Sequence, residues 1–484
     1  MTRFLRLVSM ACIACVFVSC SQSLPRVQTD ESPEDKLEAA SGIIATDTFV
    51  CPTATALQVR WADASDELVI AQANTLVHMR VSGEDGTTVN LFGGGADAPY
   101  NPSGTNVSLS WNDHMVFAAG CNNAPTRIVN QDGKTTFVNA ALFTANGRLV
   151  RVFPAMQESE IKEQREPFER SVSQDVALVT WLDEDRFVVN TRARIYVYSV
   201  RNDELTLVTD MIEAVRAGFT IYAANSFGSG QGWAMNGLYY YTACLQMVDG
   251  QNQRDLLYVV NRDNTVSPVY KSEELPAYPR YHLENNTLIM YDDYYSEQNV
   301  WHTRISYANM DDRKLCDFLD MQADYNVFTD GRFLTAIDYD WIEGENGQIT
   351  MGDSKFCCYD SHNDVLYRVL QNDLGLTQPK GQYYFNLLSL DTQDEDNPTL
   401  IFSASDYWVN TAANLGYSTT AIYKVAMNSG EVCMLYQLPQ NMSVYRDYYE
   451  DYVSPDGRYV YCKQMRFDGI NQSDNWDISV LSLS

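Results

Sequence analysis

The feature that most constrains the fold is a β-hairpin pattern that recurs along the whole chain. Each copy has an alternating apolar strand, a polar turn with Gly, Asn or Asp, and a second short apolar strand. Residues 256–260, for example, turn at Asp263 and Asn264 into residues 266–270. The pattern occurs eight times, roughly 45–65 residues apart, and such a period is typical of propeller blades. In the last copy, residues 476–483, only the first strand is present.

A second signature precedes the hairpins. A polar turn leads into a short apolar strand, as where Trp61, Ala62 and Asp63 come before residues 68–70. The two strands around this turn and the two of the hairpin together make one four-stranded antiparallel sheet. The sequence therefore predicts an all-β chain built from repeated four-stranded blades.

One of these turns has a specific form. It reads Ser454, Pro455, Asp456, Gly457 and Arg458. This run resembles the S-P-D-G-[KR] turn of TolB-type, WD-like propeller repeats, and residues 329–332 match it in part. The resemblance implies a β-propeller fold and almost nothing about a ligand. Here proline presets φ, the aspartate bonds the local backbone, and glycine accepts a positive φ.

The repeats predict the number of blades, and the leftover strand predicts how the ring closes. The count favours eight four-stranded blades, and seven is the alternative if residues 122–169 do not form one. The last blade, residues 448–484, lacks its fourth strand, and residues 43–51 form one strand left over before the first full blade. Because a ring must hide its open sheet edges, we expect this N-terminal strand to complete the last blade.

The first twenty residues have the features of an export signal. Arg3 and Arg6 give a positive start, and residues 7–18 form an apolar run that is too short to span a membrane. Phe17, Val18 and Ser19 lead to Cys20 and resemble a bacterial lipobox, in which the cysteine is lipidated and becomes the mature N-terminus. Phe17 departs from the usual leucine. The alternative is an ordinary signal peptide with an incidental cysteine.

The predicted organisation has three parts. They are a lipoprotein signal peptide (1–19), a flexible polar tether (20–41) and the propeller (42–484). An acyl anchor at Cys20 would hold the chain on a bacterial membrane, outside the cytoplasm. We therefore expect a lipid-anchored protein of the cell envelope, with the membrane as one partner.

The charge balance excludes one class of partner. The chain has 34 Lys and Arg against 63 Asp and Glu, which gives a formal net charge of −29. Binding to nucleic acid requires a basic surface that neutralises phosphates, so nucleic acid is not expected as a ligand.

The sequence contains no cofactor motif. Its 11 cysteines are widely scattered, and the CxxC pair of Cys12 and Cys15 lies within the predicted signal peptide, which argues against zinc and favours free, buried thiols. The glycine-rich run at residues 228–232 is not followed by a helix pattern, as a dinucleotide site would require. No nucleophile motif is found either, so the sequence favours a protein without catalytic chemistry.

A short acidic loop is the one weak candidate for a metal site. Asp391, Asp394 and Asp396 lie close together, and calcium prefers several carboxylates on one loop. The loop lacks the glycine and the distal glutamate of a calcium-binding loop. We therefore interpret it as a solvated turn and predict no metal.

Two groups of residues are candidates for ligand binding. The first is a Tyr- and Asp-rich run: Tyr291, Asp292, Asp293, Tyr294 and Tyr295. The second follows a predicted strand: Asp338, Asp340 and Trp341. Tyrosine combines a flat apolar ring with a hydroxyl and so suits sugars or peptides, although it is also an ordinary strand residue.

Three functions remain compatible with the sequence. The favoured hypothesis is a lipid-anchored propeller that binds a protein or glycan ligand at one face without chemistry of its own. A second is an envelope enzyme of the glycoside hydrolase or lyase type that uses carboxylates at the propeller mouth. A third is a non-catalytic structural scaffold. Convergent carboxylates with raised pKa values in a deep funnel would favour the enzyme, and a broad Tyr-rich face would favour the binder.

Overall fold

The fold was described from a computed structural model of the chain. The residues that it describes are 43–50, 57–62, 66–72, 75–82, 88–90, 115–119, 126–129, 135–144, 149–154, 178–190, 194–210, 232–243, 247–248, 252–253, 256–271, 275–276, 279–295, 301–321, 327–343, 349–376, 382–392, 394–410, 415–438, 452–468 and 471–483. Within these residues, no helix is long and apolar enough to cross a membrane.

The described residues form antiparallel β-sheets in which strands that follow one another usually pair. The chain begins with β1 (Ile43–Val50). Blade 1 then consists of β2 (Gln58–Trp61), β3 (Glu67–Gln72), β4 (Thr75–Arg80) and β5 (Thr88–Asn90). An irregular sheet follows, with β6 (Met115–Ala119), β7 (Thr126–Val129), β8 (Thr135–Thr144) and β9 (Leu149–Pro154).

The next two blades repeat the order of blade 1. Blade 2 consists of β10 (Leu178–Trp181), β11 (Arg186–Asn190), β12 (Arg194–Ser199) and β13 (Glu204–Asp210). Blade 3 consists of β14 (Gly232–Met235), β15 (Leu238–Ala243), β18 (Leu256–Val260) and β19 (Val266–Pro268), with the hairpin β16 (Met247–Val248) and β17 (Asn252–Gln253) inserted between β15 and β18.

Three further blades continue the pattern. Blade 4 consists of β20 (Pro279–Glu284), β21 (Thr287–Tyr295), β22 (Trp301–Asn309) and β23 (Cys316–Met321). Blade 5 consists of β24 (Phe328–Thr329), β25 (Phe333–Glu343), β26 (Ile349–Asp360) and β27 (Val365–Leu370), followed by the 3₁₀ helix Gln371–Leu374. Blade 6 consists of β28 (Gln382–Asp391), β29 (Thr399–Asn410), β30 (Leu415–Ala426) and β31 (Val432–Gln437).

Blade 7 joins the two ends of the described chain. It contains β32 (Tyr459–Asp468) and β33 (Asn471–Ser482), and β1 pairs antiparallel with β33 from Ile43 opposite Leu481 to Val50 opposite Asn475. The predicted closure by the N-terminal strand is therefore present. Blade 7 has three strands in the described residues, with Val453 adding a single bridge to β32.

The described residues form an all-β propeller with seven blades, so the predicted count of eight four-stranded blades is wrong and the alternative of seven holds. The difference arises between residues 115 and 154. Val138 of β8 pairs with β7 and β9, and Ala140 pairs with β6 and β9, so that β6 and β7 share one edge of β8. The inserted β7 prevents the consecutive four-strand order of the other blades.

The hydrophobic core lies between adjacent blades. One cluster joins blades 2, 3 and 4, a second joins blades 4 and 5, and a third joins blades 5 and 6. A fourth cluster packs blade 7 between blades 6 and 1. At that contact, Trp61 donates a hydrogen bond from Nε1 to the Tyr452 carbonyl (3.0 Å), and Tyr461 donates one to the Val59 carbonyl (3.2 Å).

The turns explain why the strands begin where they do. Asn236 and Gly237, and likewise Asn285 and Asn286, have positive φ at both central positions, as a tight two-residue hairpin requires. In the predicted turn at residues 454–458, Gly457 has φ 71°, and the Asp456 carboxylate accepts bonds from the local backbone and from Ser454. The sequence expectation for this turn is confirmed.

Each blade is an antiparallel β-meander, so its turns lie at two opposite ends. Successive strands run in opposite directions, so the turns after the first and third strands lie at one end of every blade. We call this end the turn face; its described turns include residues 182–185, 236–237, 261–265, 285–286, 330–332, 361–364, 427–431 and 454–458. The opposite end, where second strands finish and third strands begin, we call the tyrosine face, after Tyr295, Tyr384 and Tyr407.

The described cysteines agree with the thiol prediction. Cys357, Cys358 and Cys462 are free and buried, whereas Cys316 is partly exposed and Cys433 is exposed. Burial raises the pKa of the Cys357 thiol to about 11, so it stays protonated near neutral pH. Cys20 and the predicted signal and tether lie outside the described residues.

Candidate functional site

The predicted Tyr- and Asp-rich run lies at the end of β21, on the tyrosine face. Side chains along a strand alternate between its two sides, so the run is divided between two surfaces. Tyr291 belongs to the core cluster between blades 4 and 5, which places Asp293 and Tyr295 on that same side. Asp292 and Tyr294 lie on the side of Leu288 and Met290, which pack toward blade 3. The five residues therefore form two separate groups.

The group on the blade 5 side is linked by an ion pair and a hydrogen bond. Arg280 forms an ion pair with Asp293, and Thr303 donates a hydrogen bond to the other oxygen of that carboxylate (2.8 Å). The Arg280 guanidinium also lies 6.0 Å from the centre of the Tyr291 ring. Tyr295, the last residue of the strand, is 59% exposed. Here Asp293 has a structural role, while the Tyr295 side chain is largely exposed.

The group on the blade 3 side spans three neighbouring strands. Asp292 pairs with Arg304, Tyr294 pairs with His302, and Arg304 pairs with Asp320, so all five side chains share one side of the sheet. We call these residues the blade 4 cluster. The Tyr294 hydroxyl donates to Asp320 at 2.5 Å, and Nδ1 of His302 lies 3.3 Å from the same carboxylate.

Two ring contacts hold the blade 4 cluster in place. The Tyr294 and His302 rings stack with centroids 5.4 Å apart, and the Arg304 guanidinium lies 5.2 Å from the Tyr294 centroid. The hydrogen bond to Asp320 raises the pKa of Tyr294. Burial raises the pKa of the Asp292 carboxyl, and the negative charges of Asp293 and Asp320 add to this rise, whereas Arg304 opposes it.

The second predicted group lies in blade 5. Asp338 is directly opposite Lys355 in the β25–β26 pair, and their charged atoms are 3.8 Å apart. Leu334 and Ala336 pack toward blade 4, so Asp338, on the same side of β25, faces the cleft that Asp293 also faces. Asp340 and Trp341 continue β25, and their side chains lie outside the described part.

The acidic loop lies on the turn face, at the opposite end of the blades from the Tyr- and Asp-rich run. Asp391 ends β28, and the Asp394 carboxylate accepts a hydrogen bond from the Asp396 amide (3.2 Å). Asn428 donates to the Asp396 carbonyl (3.1 Å). Among the described residues, no group of three or more His, Cys, Asp or Glu side chains could hold a metal ion. The loop's described contacts are those of a turn, together with an ion pair between its Glu395 and Arg332 of blade 5.

Sequence reasoning missed two exposed tyrosines in blade 6. Tyr384 (47% exposed) is near the start of β28, and Tyr407 (37% exposed) is near the end of β29. Tyr384 pairs with Ser405 and Gln382 pairs with Tyr407, so both rings lie on one side of the sheet. The sequence feature that could have indicated Tyr384 is the Tyr383–Tyr384 pair in an apolar strand. Sequence alone does not show which of two adjacent tyrosines is exposed.

The turn face has a different chemistry, because its charged side chains link neighbouring turns. Arg332 forms a two-pronged ion pair with Asp360 (2.7 and 3.0 Å) and reaches Glu395 in blade 6. The Arg332 guanidinium and further hydrogen bonds lower the pKa of Asp360 to about 2. Arg186 of blade 2 similarly donates to the Gly237 carbonyl of blade 3 (3.3 Å).

Comparisons with known proteins agree with the fold at low identity. A eukaryotic initiation factor is 10% identical, with 88% of this chain and 85% of that chain covered and a TM-score of 0.44. A TolB from Agrobacterium tumefaciens is 14% identical, with coverage of 69% and 93% and a TM-score of 0.27. The WD40 domain of SCAP from fission yeast is 7% identical, with coverage of 91% and 95% and a TM-score of 0.35.

No family model and no curated protein matches the sequence. The sheets of the described residues define the β-propeller architecture. TolB-like and WD40 propellers are among the structures to which the chain is similar. At these identities the similarity concerns the fold alone.

Proposed function

We propose that this protein is a lipid-anchored propeller of the bacterial cell envelope that binds a protein or polymer ligand through its tyrosine face. The observation that carries the proposal is the position of its exposed tyrosines. Tyr295, Tyr384 and Tyr407 are the tyrosines among the exposed large hydrophobic side chains of the described residues, and all three lie at that face. Tyrosine supplies contact area at low entropic cost and is enriched in binding interfaces.

The direction of β1 supports a division between anchored and binding ends. Ile43 pairs with Leu481, near the end of β33, and Val50 pairs with Asn475, near its beginning. Since β33 runs from the tyrosine face to the turn face, β1 starts at the turn face. A chain that leads from a lipidated Cys20 into β1 would enter there, which leaves the tyrosine face at the far end from the point of attachment.

The binding surface is tested with two triple variants of the soluble chain that starts at Ser21. The first replaces Tyr295, Tyr384 and Tyr407 by serine. The matched control replaces three exposed hydrophobic residues of the outer strands, Leu207, Val365 and Met434, by serine.

Both variants and the parent chain are used to capture material from solubilised envelope extract, and bound proteins and polysaccharides are identified. We expect the tyrosine variant to lose specific material that the parent and the control retain. Equal capture by all three chains would contradict the proposed binding face.

The anchor is tested by Cys20→Ser in the full-length chain. The proposal predicts that the parent protein fractionates with membranes and that the variant is released, because the lipidated thiol is lost. Mass spectrometry of the parent N-terminus checks the acyl modification directly. Membrane association of the serine variant would reject lipidation as the anchor.

A further inference from the structure

The blade 4 cluster has hydrogen-bonding capacity that its own contacts do not use. The carboxylate of Asp292 accepts no hydrogen bond from the described residues, although it is partly buried. Arg304 is exposed, and its described contacts are with the Tyr294 side chain and with the charge of Asp292. A guanidinium has five N–H donors, so most of them are available to a ligand.

The cluster is also accessible and held in one geometry. The Asp320 side chain is 45% exposed and that of His302 is 23% exposed. The Tyr294–His302 stack, together with the bonds of both side chains to Asp320, fixes their orientation before any ligand arrives. Pre-ordered side chains lose less conformational entropy on binding.

The mixture of groups selects the class of ligand. Asp292 and Asp320 offer acceptors and disfavour an anion, whereas Arg304 offers donors at the same place and disfavours a cation. The stacked rings of Tyr294 and His302 add an apolar surface beside these charged groups. A neutral polyhydroxylated ligand can use donors, acceptors and apolar surface together, because each hydroxyl both donates and accepts.

We infer that the blade 4 cluster is a subsite for a neutral glycan, with Asp292, Arg304 and Asp320 bonding sugar hydroxyls beside the Tyr294–His302 stack. The inference rests on the proposed function and names the chemical class of its ligand. On the other side of β21, by contrast, both carboxylate oxygens of Asp293 are engaged, by Arg280 and Thr303.

The test starts with an array of neutral oligosaccharides probed with the soluble chain from Ser21, followed by calorimetric titration of a glycan that binds. Three single variants are then titrated: Asp292→Asn, Asp320→Asn and Arg304→Gln. Each removes one charged hydrogen-bonding group, so we expect Kd to rise about 10- to 100-fold. Because Arg304 is exposed, its variant tests the inference even if an aspartate variant folds poorly.

The matched control is Asp312→Asn, the same change on the turn face of the same blade. Asp312 is exposed and bonds the Lys314 amide, and asparagine can replace this bond. The control should bind with unchanged Kd. The inference is overturned if the parent chain binds no neutral glycan, or if all four variants bind equally well.

A chain that binds an anionic polymer or a basic peptide but no neutral glycan would overturn the inference and leave the proposed function standing. The proposed function fails by a separate result, which is equal capture by the tyrosine and control triple variants.

Discussion

The turn face and the tyrosine face are made from the same strands but use polar residues differently. On the turn face, charged side chains bond to one another and to backbone groups of neighbouring turns, as Arg332 does with Asp360 and Glu395. On the tyrosine face, Tyr295 and Tyr384 have exposed rings, and Asp292 of the blade 4 cluster accepts no hydrogen bond from the described residues. Under the proposed function, the turn face stabilises the ring and the tyrosine face binds the ligand.

The largest loss of stability is expected from removing β1, the strand that closes the ring. Deleting Ile43–Val50 exposes the edge of β33 and removes the buried Phe49 and Ala45. Loss of one large core side chain alone costs about 3–5 kcal/mol, so the whole strand should cost at least that much. We expect a fall in thermal midpoint of well over 10 °C, or failure to fold, as measured by calorimetry.

The control for this deletion is Ile44→Ser, which changes a partly exposed residue of β1 and keeps its pairing. It should melt close to the parent chain. A deleted chain with an unchanged midpoint would show that β1 does not close the ring.

The second-largest loss of stability is expected from breaking an ion pair of the turn face. Asp360 is buried and accepts five hydrogen bonds, from Arg332, His362 and Asn363. Breaking such a pair by Asp360→Asn should lower the free energy of unfolding by about 3 kcal/mol. Urea unfolding measures the change, and Asp312→Asn should shift it by less than about 0.5 kcal/mol.

If Asp360→Asn is as stable as the parent, the ion pairs of the turn face do not stabilise the ring. The structural role assigned to the turn face would then be rejected.

A smaller loss of stability is expected when the pH is lowered. The pKa of Asp360 is about 2 when folded, against an ordinary value of 3.8, so the carboxylate stabilises the fold fully above about pH 4. This contribution is lost as the pH falls from about 4 towards 2, because the unfolded chain takes up the proton first. Urea unfolding of the parent between pH 2 and 5 should show the loss, and Asp360→Asn should show a shallower dependence. Parallel curves would contradict the assignment.

The smallest effect on stability should come from the tyrosine face. The triple serine variant of Tyr295, Tyr384 and Tyr407 removes rings that are 37–59% exposed, so each change should alter the free energy of unfolding by less than about 0.5 kcal/mol. Calorimetry checks this beside the binding assay. A loss of several kcal/mol would mean that these rings serve the core.

Sequence periodicity was sufficient for much of the fold. The hairpin at residues 256–268 and the turn at 454–458 were predicted from local pattern. The pairing of the N-terminal strand with the last blade was predicted from the need of a ring to cover its open edges. The blade count was not predicted correctly, because residues 122–169 were interpreted as part of a further blade. Only the pairing of β8 with β6 and β7 on one edge shows that this region departs from the repeat.

The candidate site was predicted less well than the fold. The Tyr- and Asp-rich run was found, but alternation along β21 separates it into two surfaces that use different partners. His302, Arg304 and Asp320 come from two other strands, and no linear pattern joins them to Tyr294. The position of the acidic loop on the turn face follows from topology and not from its composition.

The most direct test of the two-face account is a tyrosine iodination footprint of the soluble chain, free and bound to sedimentable envelope material. The account predicts that Tyr295, Tyr384 and Tyr407 lose reactivity on binding, while Tyr459, which follows a turn on the turn face, reacts unchanged. Unchanged reactivity of the three exposed tyrosines in the bound state, or protection of Tyr459 in their place, would contradict it.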